Sequence, residues 1–178
     1  GKFAVAAGDS SQVIIFALHP QTSAFERVAS VRGAEAAFSC AWNRHSTEFA
    51  VSFQDGTVRV WDVRQTIGLE SSSPLALLRA TQQGNRNAEA CRAVKFSTGG
   101  PSIDLLAFAE HLNVVNLQDA RTWAEGDRQV LRMDTGAGSA GAGVNVCGID
   151  WSPESRSLYV GLEGAGGVLE YEMDLGKR

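Results

Sequence analysis

A pattern of short strands and tight turns recurs along this chain. Its clearest copy is FSCAWNRHSTEFAVSFQDGTVRVWDVRQ, residues 38–65. Within it, EFAVSF and TVRVWDV are joined by Gln-Asp-Gly, which is the pattern of a β-hairpin closed by a tight turn. The copy therefore predicts several short antiparallel strands in succession.

Three other segments follow the same order of strands and turns: 3–20, 91–121 and 146–174. One equivalent position in the four copies holds Phe16, Trp61, Gln118 and Tyr171, at spacings of 45, 57 and 53 residues. The two longer spacings contain inserted connections. Periods of this size indicate propellers, solenoids or arrays, because one unit buries its apolar face only against a neighbour.

The run from Asp55 to Asp62, Asp-Gly-Thr-Val-Arg-Val-Trp-Asp, resembles the WD40 repeat. The resemblance extends over the whole chain by pattern and implies an all-β, WD40-like β-propeller. About four blades are expected, two complete and two partial, each with strands a to d and strand a innermost. The Gly-His dipeptide of that family is absent. Ser52, Asp55 and Trp61 therefore supply three members of its polar network, and no His supplies the fourth.

The expected strands divide the single domain, residues 1–178, into four segments. Strands b to d of the first blade occupy 2–33, complete blades occupy 34–88 and 89–135, and strands a to c of the fourth occupy 144–175. Fourteen strands in this order do not close into a ring. We therefore expect a part of a larger propeller, with the other blades supplied by the same parent protein or by another copy.

Structural roles are predicted for residues at equivalent strand positions. Aromatic side chains there are expected to pack between blades rather than to form a ligand cage. The continuous apolar runs FAVSF, LLAFA and LYVGL predict b strands that are buried on both faces. The predicted structural residues are Trp42, Ser52, Asp55, Trp61, Asp62, Phe96, Asp119, Trp151 and Tyr171.

Residues 105–123, LLAFAEHLNVVNLQDARTW, resemble a segment of fungal WD40 proteins that is known as a domain of unknown function. The shared features are the apolar strand, Glu110-His111 and the closing Asp119-Ala-Arg121. One relative in that family is a substrate receptor of the GID ubiquitin ligase. The resemblance therefore implies a substrate-recognition subunit of a ubiquitin ligase.

Composition and motifs argue against several other classes of protein. The 16 basic residues are scattered and the net charge is −4, which disfavours binding to nucleic acid. No apolar stretch is long enough to span a membrane. Cys40, Cys91 and Cys147 form no C-x-x-C pair, so no metal site is expected and buried, inert thiols are predicted. The segment GKFAVAAGDSSQV lacks a signal-peptide pattern, which predicts a cytoplasmic or nuclear protein.

Few residues are placed for catalysis. In the predicted a strands we identify only Lys95 and Asp150 as charged side chains near the central channel. The Gly-rich run 136–143 lacks the Lys-Ser/Thr of a phosphate-binding loop. We therefore predict no catalytic residues, no cofactor and no enzymatic activity. A propeller hydrolase is one alternative, and a purely structural wall of a larger assembly is another.

The predicted function is a scaffold that binds other proteins or peptides. Propellers present variable loops on a rigid frame, and such loops are common binding sites. The d–a loops and b–c turns meet on one face, where their polar residues are expected to be exposed. The candidate binding residues are Arg32, Glu35, Gln54, Asn85, Arg86, Glu110 and His111.

Overall fold

The first half of the protein forms two antiparallel sheets. The computed structural model describes residues 2–67, 73–82, 84, 89–99, 103–133, 144–164 and 167–173. Sheet 1 has the order β1 (Lys2–Ala6), β2 (Gln12–Leu18) and β3 (Phe25–Arg32). Sheet 2 has the order β4 (Ala37–Trp42), β5 (Glu48–Phe53), β6 (Thr57–Asp62) and β7 (Ala76–Arg79), with helix α1 (Val63–Thr66) after β6.

The second half repeats this arrangement. Sheet 3 has the order β8 (Cys91–Phe96), β9 (Leu105–Glu110), β10 (Val114–Asp119) and β11 (Arg128–Arg132), with a 3-10 turn over Glu125–Asp127. Sheet 4 has the order β12 (Val146–Trp151), β13 (Ser157–Leu162) and β14 (Gly167–Glu172). The all-β prediction with two complete and two partial units is confirmed. The segment boundaries remain predictions, since 88 and 135 lie outside the described residues.

The predicted hairpin turn joins β5 and β6. Gly56 has a φ of +74°, a conformation that favours glycine. The Asp55 carboxylate accepts hydrogen bonds from the backbone N–H and the hydroxyl of Thr57, at 3.0 and 2.6 Å. The Asp-Gly pair therefore closes the hairpin by a side-chain hydrogen bond and by the backbone freedom of glycine.

Three apolar cores lie between successive sheets, and the middle strands contribute to two of them at once. Along β5, Phe49, Val51 and Phe53 pack towards sheet 1, while Ala50 packs towards sheet 3. Side chains of a strand alternate between its two faces, so a middle strand between two neighbouring sheets is buried on both faces. The same alternation holds along β9, where five of the six residues are fully buried or nearly so.

The fourth unit departs from this pattern. In β13, Leu158, Val160 and Leu162 pack against sheet 3, but Tyr159 is 37% exposed. Its neighbour Val168 on β14 is 70% exposed. The prediction that LYVGL is buried on both faces is therefore wrong for this chain, because the described residues leave the second face of sheet 4 in contact with solvent.

Substitutions of the adjacent residues Leu77 and Leu78 of β7 can test which face of this strand belongs to the core. Leu78 is 7% exposed and Leu77 is 46% exposed. We predict that Leu78→Ala lowers the free energy of unfolding of the full-length protein by about 2–4 kcal/mol, because it removes a buried side chain and leaves a cavity. Leu77→Ala should lower it by less than about 1 kcal/mol. Denaturant unfolding measures both values, and equal losses would contradict the packing described here.

Candidate protein-interaction surface

The b–c turns and the d–a connections lie at the same end of every sheet, because consecutive strands alternate in direction. We call this end the d–a face. It holds the described connections 7–11, 33–36, 54–56, 80–82 and 111–113, with 89–90, 144–145 and 163–164. The opposite end holds the a–b turns and the c–d connections, and we call it the c–d face.

Glu110 is the most extensively bonded side chain of the d–a face. Its carboxylate accepts hydrogen bonds from the backbone N–H and hydroxyl of Thr81, at 2.7 and 2.8 Å. It also accepts from the backbone N–H of Gln82 at 3.1 Å and from the amide of Asn116 at 2.8 Å. Glu110 is fully buried, so these donors replace the water that a carboxylate otherwise needs. The expectation that Glu110 is exposed is wrong, and its side chain ties sheet 3 to the connection that leaves sheet 2.

The turn after Glu110 is held on both sides. Gln82 donates to the carbonyl of Leu112 at 2.7 Å, and the Asn113 side chain accepts from the backbone N–H of Val144 at 2.5 Å. His111 is half-buried, and its backbone carbonyl accepts from Val146. Burial and the positive charge of Arg92 lower the pKa of His111, and Glu163 opposes this shift. The turn is therefore fixed between two neighbouring connections.

A repeated β-bulge places three more side chains at this end of the a strands. The strand register shifts at Phe38 in β4, at Arg92 in β8 and at Cys147 in β12. All three residues are exposed, and the Arg92 guanidinium lies over the Phe38 ring at 4.6 Å. The charge of Arg92 also acts on His111, and we call Phe38, Arg92, Cys147 and His111 the bulge row. Sequence reasoning did not identify it, and it overlooked Arg92 among the charged residues of the a strands.

Of the other predicted binding residues, Arg32 ends β3, Glu35 lies in the connection between β3 and β4, and Gln54 lies in the turn between β5 and β6. Arg32, Glu35 and Gln54 are exposed. Asn85 and Arg86 lie outside the described residues. A cavity of about 180 Å³ opens beside the β5–β6 turn. It is lined by Asp55, Gly56, Arg79, Ala80, Gly84 and Glu89.

The a strands show little that suggests catalysis. Lys95 and Asp150 form an ion pair at 3.5 Å, and both side chains are largely exposed. Among the described residues, no group of three His, Cys, Asp or Glu side chains is arranged to hold a metal ion. The part of the chain that the structure describes contains no helix long and apolar enough to cross a membrane.

The three cysteines differ in exposure. Cys91 is fully buried and Cys40 is half-buried, and burial raises the pKa of both thiols. A raised thiol pKa lowers the thiolate fraction and therefore the reactivity. Cys147 is exposed at its bulge, so the prediction of a buried thiol is wrong at this position.

The c–d face carries two matching carboxylate–arginine pairs. Asp62 accepts from the backbone N–H of Arg64 at 2.9 Å and from its guanidinium Nε and Nη2 at 3.0 and 2.5 Å. Asp119 accepts in the same way from the backbone N–H and Nε of Arg121, each at 2.9 Å, and from its Nη2. Both aspartates were predicted to be structural, but their arginine partners were not predicted. The recurring Asp-x-Arg spacing after β6 and β10 is the signal that could have revealed them.

Of the predicted structural residues, most lie in or beside the apolar cores. Phe49 stacks on Trp61 at 5.5 Å and contacts Trp42 at 5.4 Å. The indole N–H of Trp151 donates to the carbonyl of Lys95 at 3.3 Å. Ser52 is buried and donates to the carbonyl of Ser39 at 3.4 Å. Phe96 and Tyr171 belong to the cores on the two sides of sheet 3.

Comparison with solved structures identifies the fold. A WD40-propeller chain in the crystal structure of a mitotic checkpoint complex superposes with a TM-score of 0.67 and 18% sequence identity. The match covers 96% of this chain and 45% of that chain. This protein has the WD40 β-propeller fold.

Sequence comparison matches one family model and one yeast protein. A family model described as an uncharacterised protein domain (DUF2415) matches residues 89–132, which span sheet 3 of the propeller. An uncharacterized protein of Saccharomyces cerevisiae, YLR149C, is 28% identical over 108 residues. That match covers 61% of this chain and 14% of the yeast protein. The resemblance of residues 105–123 to a fungal domain of unknown function is therefore confirmed.

Removal of the Glu110 carboxylate should loosen the joint between sheets 2 and 3. We predict that Glu110→Ala lowers the free energy of unfolding by about 2–3 kcal/mol, because buried donors lose a charged acceptor. The backbone amides of Thr81 and Gln82 should also exchange their hydrogens faster. His111→Ala, in the same turn, is the control and should leave both amides protected. Unchanged exchange in Glu110→Ala would show that the carboxylate does not hold this connection.

The Asp62–Arg64 pair should give a pH-dependent contribution to stability. Hydrogen bonds from Arg64 lower the pKa of Asp62 below its unfolded value of about 3.9. The stabilisation is therefore complete above that value and is lost as the pH falls through the folded pKa. We predict that Asp62→Asn lowers the free energy of unfolding by about 1 kcal/mol at pH 7, and by progressively less below about pH 4.

Denaturant unfolding of the wild type and Asp62→Asn between pH 7 and pH 3 measures this difference. Asp150→Asn is the control, because its ion pair with Lys95 is exposed. Its effect at pH 7 should stay below about 0.5 kcal/mol. A loss in Asp62→Asn that does not vary with pH would exclude ionisation of Asp62 as its source.

Proposed function

We propose that the protein is an interaction scaffold that binds other proteins or peptides at the bulge row of its d–a face. The observation that carries the proposal is the fixed position of this row. Arg92 is stacked on Phe38, and His111 belongs to a turn that is bonded to both neighbouring connections. A surface ordered before binding loses less conformational entropy when a partner docks.

The chemistry of the bulge row suits a peptide or loop with both apolar and polar groups. Phe38 supplies an aromatic surface, and Arg92 supplies hydrogen-bond donors and a positive charge. Arg and aromatic residues are the side chains that most often dominate the binding energy of protein interfaces. The row therefore offers an anchor for such a partner, and Arg32, Glu35 and Gln54 are exposed polar residues on the same face.

A more specific role is substrate recognition for a ubiquitin ligase. This part of the proposal rests on the resemblance of residues 105–123 to a family that includes such a receptor. It is supported by the family match over residues 89–132. A protein with this role would be expected in the cytoplasm or the nucleus.

Affinity purification of the full-length protein from its own cells, read by mass spectrometry, tests the proposal. We predict that ubiquitin-ligase subunits are recovered with the wild type and are reduced at least about tenfold by Arg92→Glu. Arg27→Glu, which makes the same charge change on the outer strand of sheet 1, is the control and should recover wild-type amounts.

The other outcomes discriminate between the parts of the proposal. Recovery of a different stable complex that Arg92→Glu disrupts would retain the scaffold and exclude the ligase role. Partners that bind Arg92→Glu as well as the wild type would exclude the bulge row as the binding site. No reproducible partner of any kind would contradict the scaffold itself.

We also propose that further propeller blades cover the second face of sheet 4. The full-length protein with Cys147→Ser allows a direct test by thiol alkylation. We predict that Val168→Cys reacts at least about tenfold more slowly than Leu77→Cys, although in this chain Val168 is the more exposed of the two. Faster or equal reaction at Val168→Cys would mean that this face is open in the complete protein.

A further inference from the structure

Contacts between neighbouring sheets share a direction in side-chain size, because the earlier sheet contributes small residues and the later sheet contributes larger ones. The contact between sheets 2 and 3 joins Ala50, Val58 and Val60 to Phe96, Leu106 and Phe108. The contact between sheets 3 and 4 joins Ala107, Ala109 and Val115 to Trp151, Leu158 and Leu162. The second face of sheet 4 has the position of an earlier sheet, so a surface that covers it is expected to present large side chains.

The strand register identifies the residues of this face. Five positions that face the next sheet are paired in the same way in sheets 3 and 4. In sheet 3 they are apolar and belong to the core: Ala93, Ala107, Ala109, Val115 and Leu117. In sheet 4 they are Gly148, Tyr159, Gly161, Val168 and Glu170. Two of these are glycines and one is charged, so this face differs from its equivalent in both shape and charge.

The two glycines leave a hollow in the second face of sheet 4. Gly148 and Gly161 are cross-strand neighbours. A β-carbon added at Gly148 would meet no atom within 4 Å, and one added at Gly161 would meet only the backbone of Gly148, at 3.7 Å and beyond. Protein interiors are close-packed, so a surface that covers this hollow needs a large side chain to fill it.

Glu170 gives the face a charge that the equivalent positions lack. It stands where sheets 2 and 3 have the buried residues Val60 and Leu117. The Glu170 carboxylate accepts a hydrogen bond from the Tyr159 hydroxyl at 3.1 Å, and Tyr159 is the only described residue that donates to it. A covered carboxylate needs further donors and a charge of opposite sign. The covering surface must therefore supply what this chain does not.

The other charges on this face do not neutralise Glu170. Glu172 is exposed two residues further along β14, and alternation places it on the same side. Asp150, which pairs with Tyr159 across β12 and β13, already forms an ion pair with Lys95. The second face of sheet 4 therefore has an excess of negative charge, which a cationic side chain would balance.

We propose that the blade covering sheet 4 has a Lys or Arg side chain opposite Glu170 and a large apolar side chain over Gly148 and Gly161. The inference rests on the proposal that further blades cover this face, and it adds what their surface presents. The combination makes the contact specific, because an entirely apolar blade surface would bury Glu170 without a counter-charge.

Alkylation of Val168→Cys in the full-length Cys147→Ser protein reports whether the covering blade is in place. In that protein, Glu170→Leu introduces the residue that sheet 3 has at the equivalent position. We expect alkylation to become at least about tenfold faster, because a buried cation loses its partner. Glu154→Leu is the control, because Glu154 pairs with Arg156 where both are exposed, and it should change the rate by less than about twofold. A rate in Glu170→Leu that is unchanged or slower would overturn the cation.

Filling the hollow tests the second half of the proposal. Gly161→Leu should make alkylation of Val168→Cys at least about fivefold faster, because the added side chain competes with the one that occupies the hollow. Gly161→Ala, which introduces the residue at Ala109, should give a smaller increase. Gly126→Leu is the control, since a β-carbon at Gly126 also meets no atom within 4 Å. Its rate should stay within about twofold of the parent protein. An unchanged rate in Gly161→Leu would mean that no side chain fills the hollow.

The outcomes separate this inference from the proposal on which it rests. Alkylation of Val168→Cys as fast as that of Leu77→Cys, before any further substitution, would exclude the covering blade itself. Slow alkylation that neither Glu170→Leu nor Gly161→Leu changes would retain the covering blade and overturn the chemistry proposed for it. Peptide mass spectrometry measures alkylation at residue 168, and thermal unfolding shows that each variant is folded at the temperature of the assay.

Discussion

Apolar contact between neighbouring sheets is the interaction on which the rest of this molecule depends. One sheet of a repeat protein cannot bury its apolar faces alone, and stacked neighbouring sheets bury them together. The middle strands solve this by facing two cores at once, as β5 does with Phe49 and Ala50. Because most middle-strand positions are buried in these cores, the exposed polar residues of the middle sheets lie mainly at the ends of the strands. The two faces of the propeller are therefore the places where binding chemistry can lie.

Carboxylates at the ends of the strands satisfy the same hydrogen-bonding requirement in two different ways. Backbone N–H groups that leave a sheet need acceptors, and a buried carboxylate needs donors. Glu110 meets both needs inside the protein, since all of its bonds are to residues of adjacent connections and strands. Asp62 and Asp119 meet them with the following arginine, which extends into solvent. The first arrangement joins two blades, and the second leaves a charged group exposed at the end of the strand.

The sequence was sufficient for the features that depend on neighbouring residues. The Asp55-Gly56 turn and the doubly buried runs around Phe49 and Phe108 follow from local pattern, and the structure contains both. Exposure of Glu110 could not be judged in this way, because its backbone donors lie 28 and 29 residues earlier in the chain. The exposure of Tyr159 could not be judged from local pattern either, because burial of its side chain requires a surface that packs on the second face of sheet 4.

The bulge row escaped prediction for a different reason. Strict alternation along β8 would place Arg92 on one of the packed faces, but the register is shifted at this residue and its side chain is exposed. A bulge adds one extra residue to a strand, and no particular residue type marks its position. The pattern of hydrophobic residues therefore does not reveal it. Three bulges at equivalent positions, at Phe38, Arg92 and Cys147, indicate that this geometry belongs to the repeated unit and not to one blade.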